Sequence, residues 1–379
     1  MAGLSYLVCG APVRGHVTPL FEVAEHLVGR GDRVRFLTGA RYRERVEATG
    51  ATFLPLPREA DYDDADIDAS FPGRVGLTGA AGLRYDLATI FVAPAGAQLA
   101  ALDAALADEP VDAVLAETLF TGAAALLSRP DRPRLVNLGV VGLGVGGREI
   151  LLPRNRLRAA LTRRAVQRVA ERVFFEATGR PPVCEVLDWP TRADAVVRFT
   201  VPALDDTRAV HVGPVGREPV PNVPLPTWWS DVDSGCPVVH VAPGALAAAA
   251  VEGLADSGML VVVTGTAPPA PPPNVRTAPV LPYDKLLPRT SAMVTAADWD
   301  GAHRALEHGA PLVVPAHTGI GAAVARSGAG IALRGTRPAA VAGAVRTVLS
   351  DPRYRTASEA VGTQLTSAPG VAALATLLA

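Results

Sequence analysis

The sequence is poor in several residue types that would direct the protein to particular classes of function. Its 379 residues include only three cysteines, Cys9, Cys184 and Cys236, and no two of them form a CxxC pair. That spacing disfavours a zinc cluster or a disulfide framework and fits a reducing compartment. The 36 basic and 37 acidic residues leave a formal net charge of −1. No broad electrostatic field therefore attracts nucleic acid or an anionic membrane.

Long unbroken hydrophobic runs are also scarce. The uncharged segment 234–251 approaches the length of a membrane span, but it contains Pro237, Pro243 and Gly244. A strand, a turn and an alanine-rich helix therefore explain this segment better than a bilayer does. The first residues lead directly into an apolar strand, without the basic start and cleavage site of a secretory signal. We expect a cytoplasmic protein that has no membrane span.

Hydrophobic residues nevertheless make up 49% of the chain, which is enough for a sizeable core. In the first half, short apolar runs alternate with helical patterns, and strands are predicted at 5–9, Val34–Thr38, Thr52–Leu56, Val111–Ala116 and Leu135–Leu138. A helix from about Val17 to Gly29 has an apolar stripe at helical spacing and Pro19 in its first turn. Buried strands that alternate with helices predict a parallel sheet covered on both faces.

The second half repeats this rhythm after a proline-rich segment. Residues 214–236 contain five prolines before Trp228 and are predicted to form a stiff linker. Strands are then predicted at Val238–Ala242, Met259–Thr264, Ala292–Thr295, Pro311–Pro315 and Ile331–Leu333. The sequence therefore predicts an α/β protein with two doubly wound domains, 1–213 and 237–352, followed by a C-terminal helical segment at 353–379. Ligands are expected in a cleft at the carboxyl ends of the strands.

Five short motifs occur in order along the whole chain. They are G-H-V-T-P-L at 15–20, H-V-G-P at 211–214, V-L-P-Y-D-K-L-L-P at 280–288, E-H-G-A-P-L-V-V-P at 307–315 and S-G-A-G-I-A-L at 327–333. Together with Trp228 they resemble the GT-B glycosyltransferases of family 1, the antibiotic and UDP-glycosyltransferase type. The resemblance implies two Rossmann-like domains that face a central cleft. It also implies that the first domain binds the acceptor and that the last helix returns to that domain.

The resemblance assigns the catalytic roles to two residues. In this family a histidine after the first strand deprotonates the acceptor hydroxyl, and an acidic residue after the fourth strand orients it. His16 and Glu117 occupy those positions, although the family usually has aspartate in place of Glu117. An imidazole has an ordinary pKa of about 6.5 and accepts a proton at neutral pH, while a carboxylate on its other nitrogen fixes the tautomer. The competing interpretation of His16 is a loop histidine that caps the helix beside it.

The acceptor pocket is predicted from apolar residues in two segments of the first half, 60–100 and 137–180. Their low polarity favours an aromatic or polyketide-like ligand. The candidates, which are equally compatible with a place in the core, are Phe71, Leu83, Ile90, Phe91, Leu143 and Ile150.

The donor half departs from the family pattern. The family holds the sugar-nucleotide diphosphate on a His-Gly-Gly-x-Gly-Thr turn that opens a helix, where glycines let the backbone approach the phosphates. This chain has A-A-D-W-D-G at 296–301, so Ala296 replaces the histidine and Gly301 closes the motif. Asp298 and Asp300 can cap the helix themselves, and two carboxylates here would repel a diphosphate. The sequence therefore predicts a degenerate donor site.

Other donor-side positions also differ from the family. Ala245 stands where a hydroxyl residue usually contacts phosphate, and His317 lies in a shortened segment that lacks the family's Asp-Gln pair. Tyr283 is the donor-side position within the motif at 280–288. No metal site is predicted, because two carboxylates under-coordinate Mg²⁺. His303 and His308 are five residues apart and are predicted to be surface histidines.

Three functions are compatible with this pattern. The first is sugar transfer to a hydrophobic small molecule, with a TDP- or UDP-sugar as co-substrate and no tightly bound cofactor. The second is donor-free acid/base chemistry on the same kind of substrate, such as cyclisation, elimination or isomerisation. The third is a non-catalytic auxiliary or small-molecule-binding protein. A homodimer is compatible with all three, and none of them involves nucleic acid.

Overall fold

The computed structural model describes residues 3–139, 156–205, 207–217, 220–266, 270–296, 299–316 and 318–378. The chain forms two compact units. The first comprises Met1–Phe199, Thr207–Gly216 and Pro369–Ala379, and the second comprises Thr200–Asp206 and Arg217–Ala368. Each unit contains one all-parallel sheet with helices on its faces, so the predicted α/β class with two doubly wound sheets is confirmed.

The sheet of the first unit has seven parallel strands in the order β3-β2-β1-β4-β5-β6-β7. They are β1 (Ser5–Cys9), β2 (Arg33–Thr38), β3 (Thr52–Pro55), β4 (Ala113–Glu117), β5 (Arg134–Gly139), β6 (Ala195–Arg198) and β7 (Val210–His211). Cys9 at the end of β1 pairs with Leu37 on β2 and with Ala116 on β4. Because the strand order reverses at β1, the carboxyl ends of β1 and β4 form the switch point where open α/β sheets bind ligands.

Helices cover both faces of this sheet. They are α1 (Arg14–Gly29), α2 (Arg43–Ala48), α3 (Ile67–Ser70), α4 (Gly79–Tyr85), α5 (Ala95–Asp108) and α6 (Arg156–Thr178). Val8 faces α1 and packs in one buried cluster with Leu20, while Leu7 faces the opposite side and packs with Leu99 of α5. Alternate residues of β1 are therefore buried on opposite faces, which explains why its sequence is apolar throughout.

Helix α1 begins three residues earlier than the sequence pattern predicted. It starts at Arg14 instead of Val17, so Pro19 lies inside the helix instead of in its first turn. The backbone N–H of Arg14 donates a hydrogen bond to Oδ2 of Asp64, at a distance of 2.6 Å. A partner fifty residues away thus satisfies a free donor at the start of the helix, and a local sequence window does not contain it.

One continuous helical stretch in the described residues is long and apolar enough to cross a membrane. It is Gly79–Asp108, with 30 residues, a mean hydropathy of 1.6 in its most apolar window and 44% of that window buried. A π-helical segment, Asp86–Val92, connects α4 and α5 within it. Leu87 and Leu102 belong to a buried core cluster of the first unit. Packing within that unit therefore buries part of this apolar stretch.

The second unit has a six-stranded parallel sheet in the order β10-β9-β8-β11-β12-β13. Its strands are β8 (Val238–Val241), β9 (Leu260–Thr264), β10 (Val275–Ala278), β11 (Thr290–Val294), β12 (Leu312–Pro315) and β13 (Gly330–Leu333). Its helices are α7 (Ala247–Gly253), α8 (Tyr283–Leu286), α9 (Trp299–Glu307), α10 (Gly319–Ser327), α11 (Pro338–Ser350) and α12 (Pro352–Ser367). The five predicted strands of this half are confirmed to within two residues at each end, whereas β10 was missed.

The C-terminal segment is divided between the two units. The sequence predicts a C-terminal helical segment at 353–379, and there α12 ends at Ser367 and a separate helix, α13 (Ala373–Leu378), follows. Pro369 lies between them, and proline disrupts a continuing helix because it lacks an N–H and clashes with the preceding turn. Leu374 of α13 is fully buried in the cluster of the first unit that contains Val8.

Candidate active site

The first unit brings the two predicted catalytic residues together at its switch point. His16 is the third residue of α1, and Glu117 is the last residue of β4. Nδ1 of His16 lies 3.1 Å from Oε2 of Glu117. His16 is 8% exposed and Glu117 is completely buried. The longer side chain of glutamate therefore reaches the imidazole. His16 contacts a carboxylate instead of capping its own helix.

Three N–H groups surround the Glu117 carboxylate. Besides His16, the backbone N–H of Leu119 donates to Oε2 at 2.8 Å, and that of Ala11 donates to Oε1 at 3.4 Å. An ionised carboxylate only accepts hydrogen bonds, so Nδ1 of His16 carries the proton in this pair. Nε2 of His16 has no hydrogen-bond partner among the described residues. Its lone pair is therefore available to accept a proton from a ligand.

Of the apolar candidates for the acceptor pocket, one lies beside this pair and the others that the structure describes pack elsewhere in the first unit. The ring of Phe91 lies 5.3 Å from the His16 ring, between centroids. Leu83 and Phe91 are partly buried against the core of the first unit, and Ile90 is 3% exposed. Phe71 packs edge-on against Tyr62 with 4.9 Å between ring centroids. Leu143 and Ile150 lie outside the described residues.

The acidic segment after β3 holds the start of α1, a role that sequence reasoning missed. Asp64 accepts hydrogen bonds from the Arg14 backbone, from the Tyr42 hydroxyl at 2.8 Å and from Arg41 at 2.9 Å. Asp61 accepts from the Ala40 backbone at 3.0 Å. The cluster of aspartates at 59–68 was the feature of the sequence that could have indicated this role, because carboxylates are favoured at helix starts. Asp64 thereby supports the helical turn that carries His16.

In the second unit, the loops that follow β8 and β11 touch each other. Gly244 has a φ of 141°, and a Cβ atom built on it would come within 2.1 Å of the Cβ of Ala296. Ala296 therefore packs against the Gly244 backbone at the carboxyl ends of two adjacent strands. The next residue, Ala245, is exposed, and Gly301 is buried in α9. Asp298 and His317 lie outside the described residues.

The acidic residue in the first turn of α9 is paired with a cation of its own helix. Oδ2 of Asp300 lies 2.8 Å from Nε of Arg304, four residues further on. This pair partly offsets the negative charge that the sequence places at the helix start. Among the residues that the structure describes, His, Cys, Asp and Glu form no group of three or more that could hold a metal ion.

Tyr283 makes a buried contact inside the second unit. Its hydroxyl lies 3.1 Å from Nε2 of His240, while Nδ1 of His240 lies 3.0 Å from the carbonyl oxygen of Val262. Because the carbonyl accepts from Nδ1, Nε2 is the acceptor for the Tyr283 hydroxyl. Burial lowers the pKa of His240 to about 4. This histidine is therefore neutral at physiological pH.

The prediction that His303 is a surface histidine is wrong. His303 is 4% exposed and not a surface residue, and its Nε2 lies 3.1 Å from the Thr200 hydroxyl. Burial, reinforced by the cation of Arg217, lowers the pKa of His303 to about 3. The spacing of five residues from His308 was a correct reason to separate the two side chains, because His308 is exposed. It gave no information on which of the two faces the core.

These two buried histidines predict a loss of stability in acid. Their pKa values in the folded protein, about 4 for His240 and about 3 for His303, lie below the ordinary value of about 6.5. The unfolded chain therefore binds more protons between pH 6.5 and 4, and each histidine removes about 1.4 kcal/mol of stability per pH unit in that range. Urea unfolding at several pH values measures this slope. H303Q should reduce the slope of stability against pH by the equivalent of about one proton, whereas the exposed H308Q should leave it unchanged. Equal slopes for H303Q and the wild type would contradict the assignment.

Sequence comparison connects the chain to characterised enzymes. Residues 261–378 match the family model described as "Erythromycin biosynthesis protein CIII-like, C-terminal domain". The chain is 34% identical, over 396 residues, to 4'-demethylrebeccamycin synthase of Lentzea aerocolonigenes, and the match covers 93% of each protein. It is 26% identical to UDP-glucosyltransferase B1 of Starmerella bombicola, over 95% of this chain and 94% of that protein.

Solved structures share the whole fold. The calicheamicin glycosyltransferase CalG4 matches with a TM-score of 0.71 at 23% identity, over 100% of this chain and 98% of that chain. The glycosyltransferase SnogD from Streptomyces nogalater matches with a TM-score of 0.64 at 19% identity, over 100% of both. These matches confirm the predicted GT-B fold. With that fold, and with 34% identity to 4'-demethylrebeccamycin synthase over 93% of each protein, the chain belongs to the GT-B glycosyltransferases of natural-product biosynthesis.

Proposed function

We propose that this protein transfers a sugar from a nucleotide donor to a hydroxyl group of a hydrophobic natural product, with His16 as the general base. The buried hydrogen bond between His16 and Glu117 is the observation that carries this proposal. It holds the imidazole in the tautomer whose Nε2 is a proton acceptor. A general base needs that lone pair and an orientation that does not change during the reaction.

The reaction proceeds as a single displacement in this proposal. Nε2 of His16 takes the proton of the acceptor hydroxyl while its oxygen forms a bond to the anomeric carbon of the sugar. The bond from that carbon to the diphosphate oxygen breaks, and the nucleoside diphosphate leaves with the electron pair. As positive charge develops on the imidazole, the buried Glu117 carboxylate, with its Oε2 3.1 Å from Nδ1, stabilises that charge.

A hydrophobic acceptor is supported by the surroundings of His16. Phe91 packs beside the imidazole, and Leu83 and Ile90 come from the same apolar helical stretch. Flat aromatic or polyketide-like molecules suit such a lining, because aromatic rings pack well against each other. A TDP- or UDP-sugar is the donor in this proposal. A cytoplasmic location is part of it too, supported by the three free cysteines.

A second candidate is favoured by the contact between Gly244 and Ala296. The side chain of Ala296 lies against the strand-end backbone in a unit whose relatives use nucleotide sugars, and Asp300 adds a carboxylate nearby. If no diphosphate binds here, His16 and Glu117 would perform acid/base chemistry on the acceptor alone. Cyclisation, elimination and isomerisation all require only a proton acceptor and donor at the substrate.

Titration calorimetry with TDP-, UDP- and GDP-glucose separates the two candidates. Micromolar binding of any of these, followed by appearance of the sugar on the acceptor in mass spectrometry, supports transfer. The absence of heat across the panel favours the donor-free reaction.

We expect D300N to tighten diphosphate binding by about 10-fold, because a carboxylate about 4 Å from a phosphate charge is repelled by several kcal/mol before screening. E252Q, which neutralises an exposed acid on α7, is the matched control.

A further inference from the structure

The segment that follows β3 is attached on both sides of Tyr62. Asp61 binds the backbone of Ala40, and Asp64 binds the backbone of Arg14 at the start of α1. His16 is two residues further along that helix. These attachments hold residue 62 close to the turn that carries the proposed base.

The Tyr62 hydroxyl is buried and unpaired. Its oxygen is inaccessible to solvent and has no hydrogen-bond partner among the described residues. The ring packs edge-on against Phe71, so the apolar part of the side chain is well accommodated. A phenylalanine would fill the same volume without leaving a donor unsatisfied, and buried polar groups are almost always paired. The hydroxyl is therefore a donor that the protein itself does not use.

Glu117 is the charged group that acts most strongly on this hydroxyl. Burial raises the pKa of Tyr62, and the negative charge of Glu117 raises it further, ahead of Asp64 and of the adjacent Asp61. The hydroxyl therefore stays protonated and keeps its ability to donate. The same carboxylate that contacts His16 thus also acts electrostatically on the Tyr62 hydroxyl.

We propose that the Tyr62 hydroxyl binds the acceptor, donating a hydrogen bond to a second oxygen of the molecule whose first hydroxyl is deprotonated by His16. This inference rests on the proposed function and specifies its substrate. The acceptor is a polyoxygenated ring system with a hydroxyl group for His16 and a further oxygen for Tyr62. A site that is built to hydrogen-bond a substrate oxygen discriminates strongly against analogues that lack it.

Tyr62→Phe is the direct test, with Tyr42→Phe as its matched control. The Tyr62 hydroxyl has no partner in the protein, so Y62F should unfold at the same temperature as the wild type or higher. The Tyr42 hydroxyl donates to Asp64, so Y42F should lower the unfolding temperature.

Calorimetry with alizarin, emodin and 1-naphthol measures binding. We expect Y62F to weaken binding of the first two by about 10-fold or more, and binding of 1-naphthol, which has a single oxygen, by less than about 2-fold.

The results also separate this inference from the proposed function. Equal affinity of Y62F and the wild type for alizarin and emodin would overturn the role of Tyr62 while leaving sugar transfer intact. A clear fall in the unfolding temperature of Y62F would overturn it as well, because the hydroxyl would then have a structural partner. If the wild-type protein bound none of the three probes, the hydrophobic acceptor itself would be refuted, and this inference with it.

Discussion

Replacement of His16 by alanine should lower kcat by about 10²- to 10⁴-fold, because that is the range that a positioned general base contributes. Nε2 of His16 has no hydrogen-bond partner among the described residues, while Nδ1 is held by a fully buried carboxylate. Loss of the imidazole removes the proposed proton acceptor but leaves the neighbouring apolar side chains, such as Phe91, in place. The Michaelis constant for the acceptor should therefore change much less than kcat. Steady-state kinetics with product detection by mass spectrometry measures both constants.

Two further variants make the His16 result specific. H16Q keeps a side chain that can hydrogen-bond Glu117 but cannot accept a proton at neutral pH, so it should lose as much activity as H16A. H308A removes an exposed histidine directly after α9 and should retain activity. If H16A turned over the acceptor at the wild-type rate, base catalysis by His16 would be wrong. The non-catalytic binding function that the sequence left open would then be the better account.

Glu117→Gln should have the second largest effect, on both activity and stability. The carboxylate accepts hydrogen bonds from three N–H groups, those of His16, Leu119 and Ala11. An amide has only one acceptor oxygen, so in either orientation its NH₂ group meets at least one of these donors. We expect a loss of about 1–3 kcal/mol of stability. We also expect a fall in kcat of about 10²- to 10⁴-fold, because the imidazole loses its fixed tautomer or its charge partner.

Glu117→Asp distinguishes the chemical role from the structural one. Aspartate, which the family usually has at this position, keeps the charge but is shorter by one methylene group. E117D should therefore recover part of the activity lost in E117Q, whereas exposed E44Q on α2 should behave as the wild type. Thermal unfolding recorded beside the kinetics separates the two effects. Wild-type activity in a correctly folded E117Q would contradict an orienting role for the carboxylate.

The two units differ in how they treat buried histidines. His16 in the first unit keeps a free nitrogen beside a carboxylate, whereas both nitrogens of His240 in the second unit are bound to protein groups. His303 is buried against Thr200 and its pKa is lowered by desolvation. Only an imidazole with a free nitrogen that a ligand can reach serves as a proton acceptor. The chemistry of this protein is therefore expected at His16.

Local sequence was sufficient for most of the secondary structure and for the family. Apolar runs such as those at β1, β4 and β9 indicate buried parallel strands, because strands covered on both faces are hydrophobic throughout. The short strands β6, β7 and β10 were missed; β7 has only two residues, and β6 and β10 each include an arginine that interrupts the apolar pattern. The motif at 15–20, together with the four other motifs along the chain, predicted the role of His16 by resemblance.

The tertiary structure decided every feature that depends on a distant partner. The start of α1 is set by Asp64, the orientation of His16 by Glu117 and the burial of His303 by Thr200. Each of these pairs is separated by at least fifty residues, so no local pattern encodes it. The amino-acid sequence by itself determined which segments become strands and helices, because burial periodicity is local. Which side chains meet at the strand ends was decided only when the sheet assembled, because hydrogen bonds and desolvation act through space.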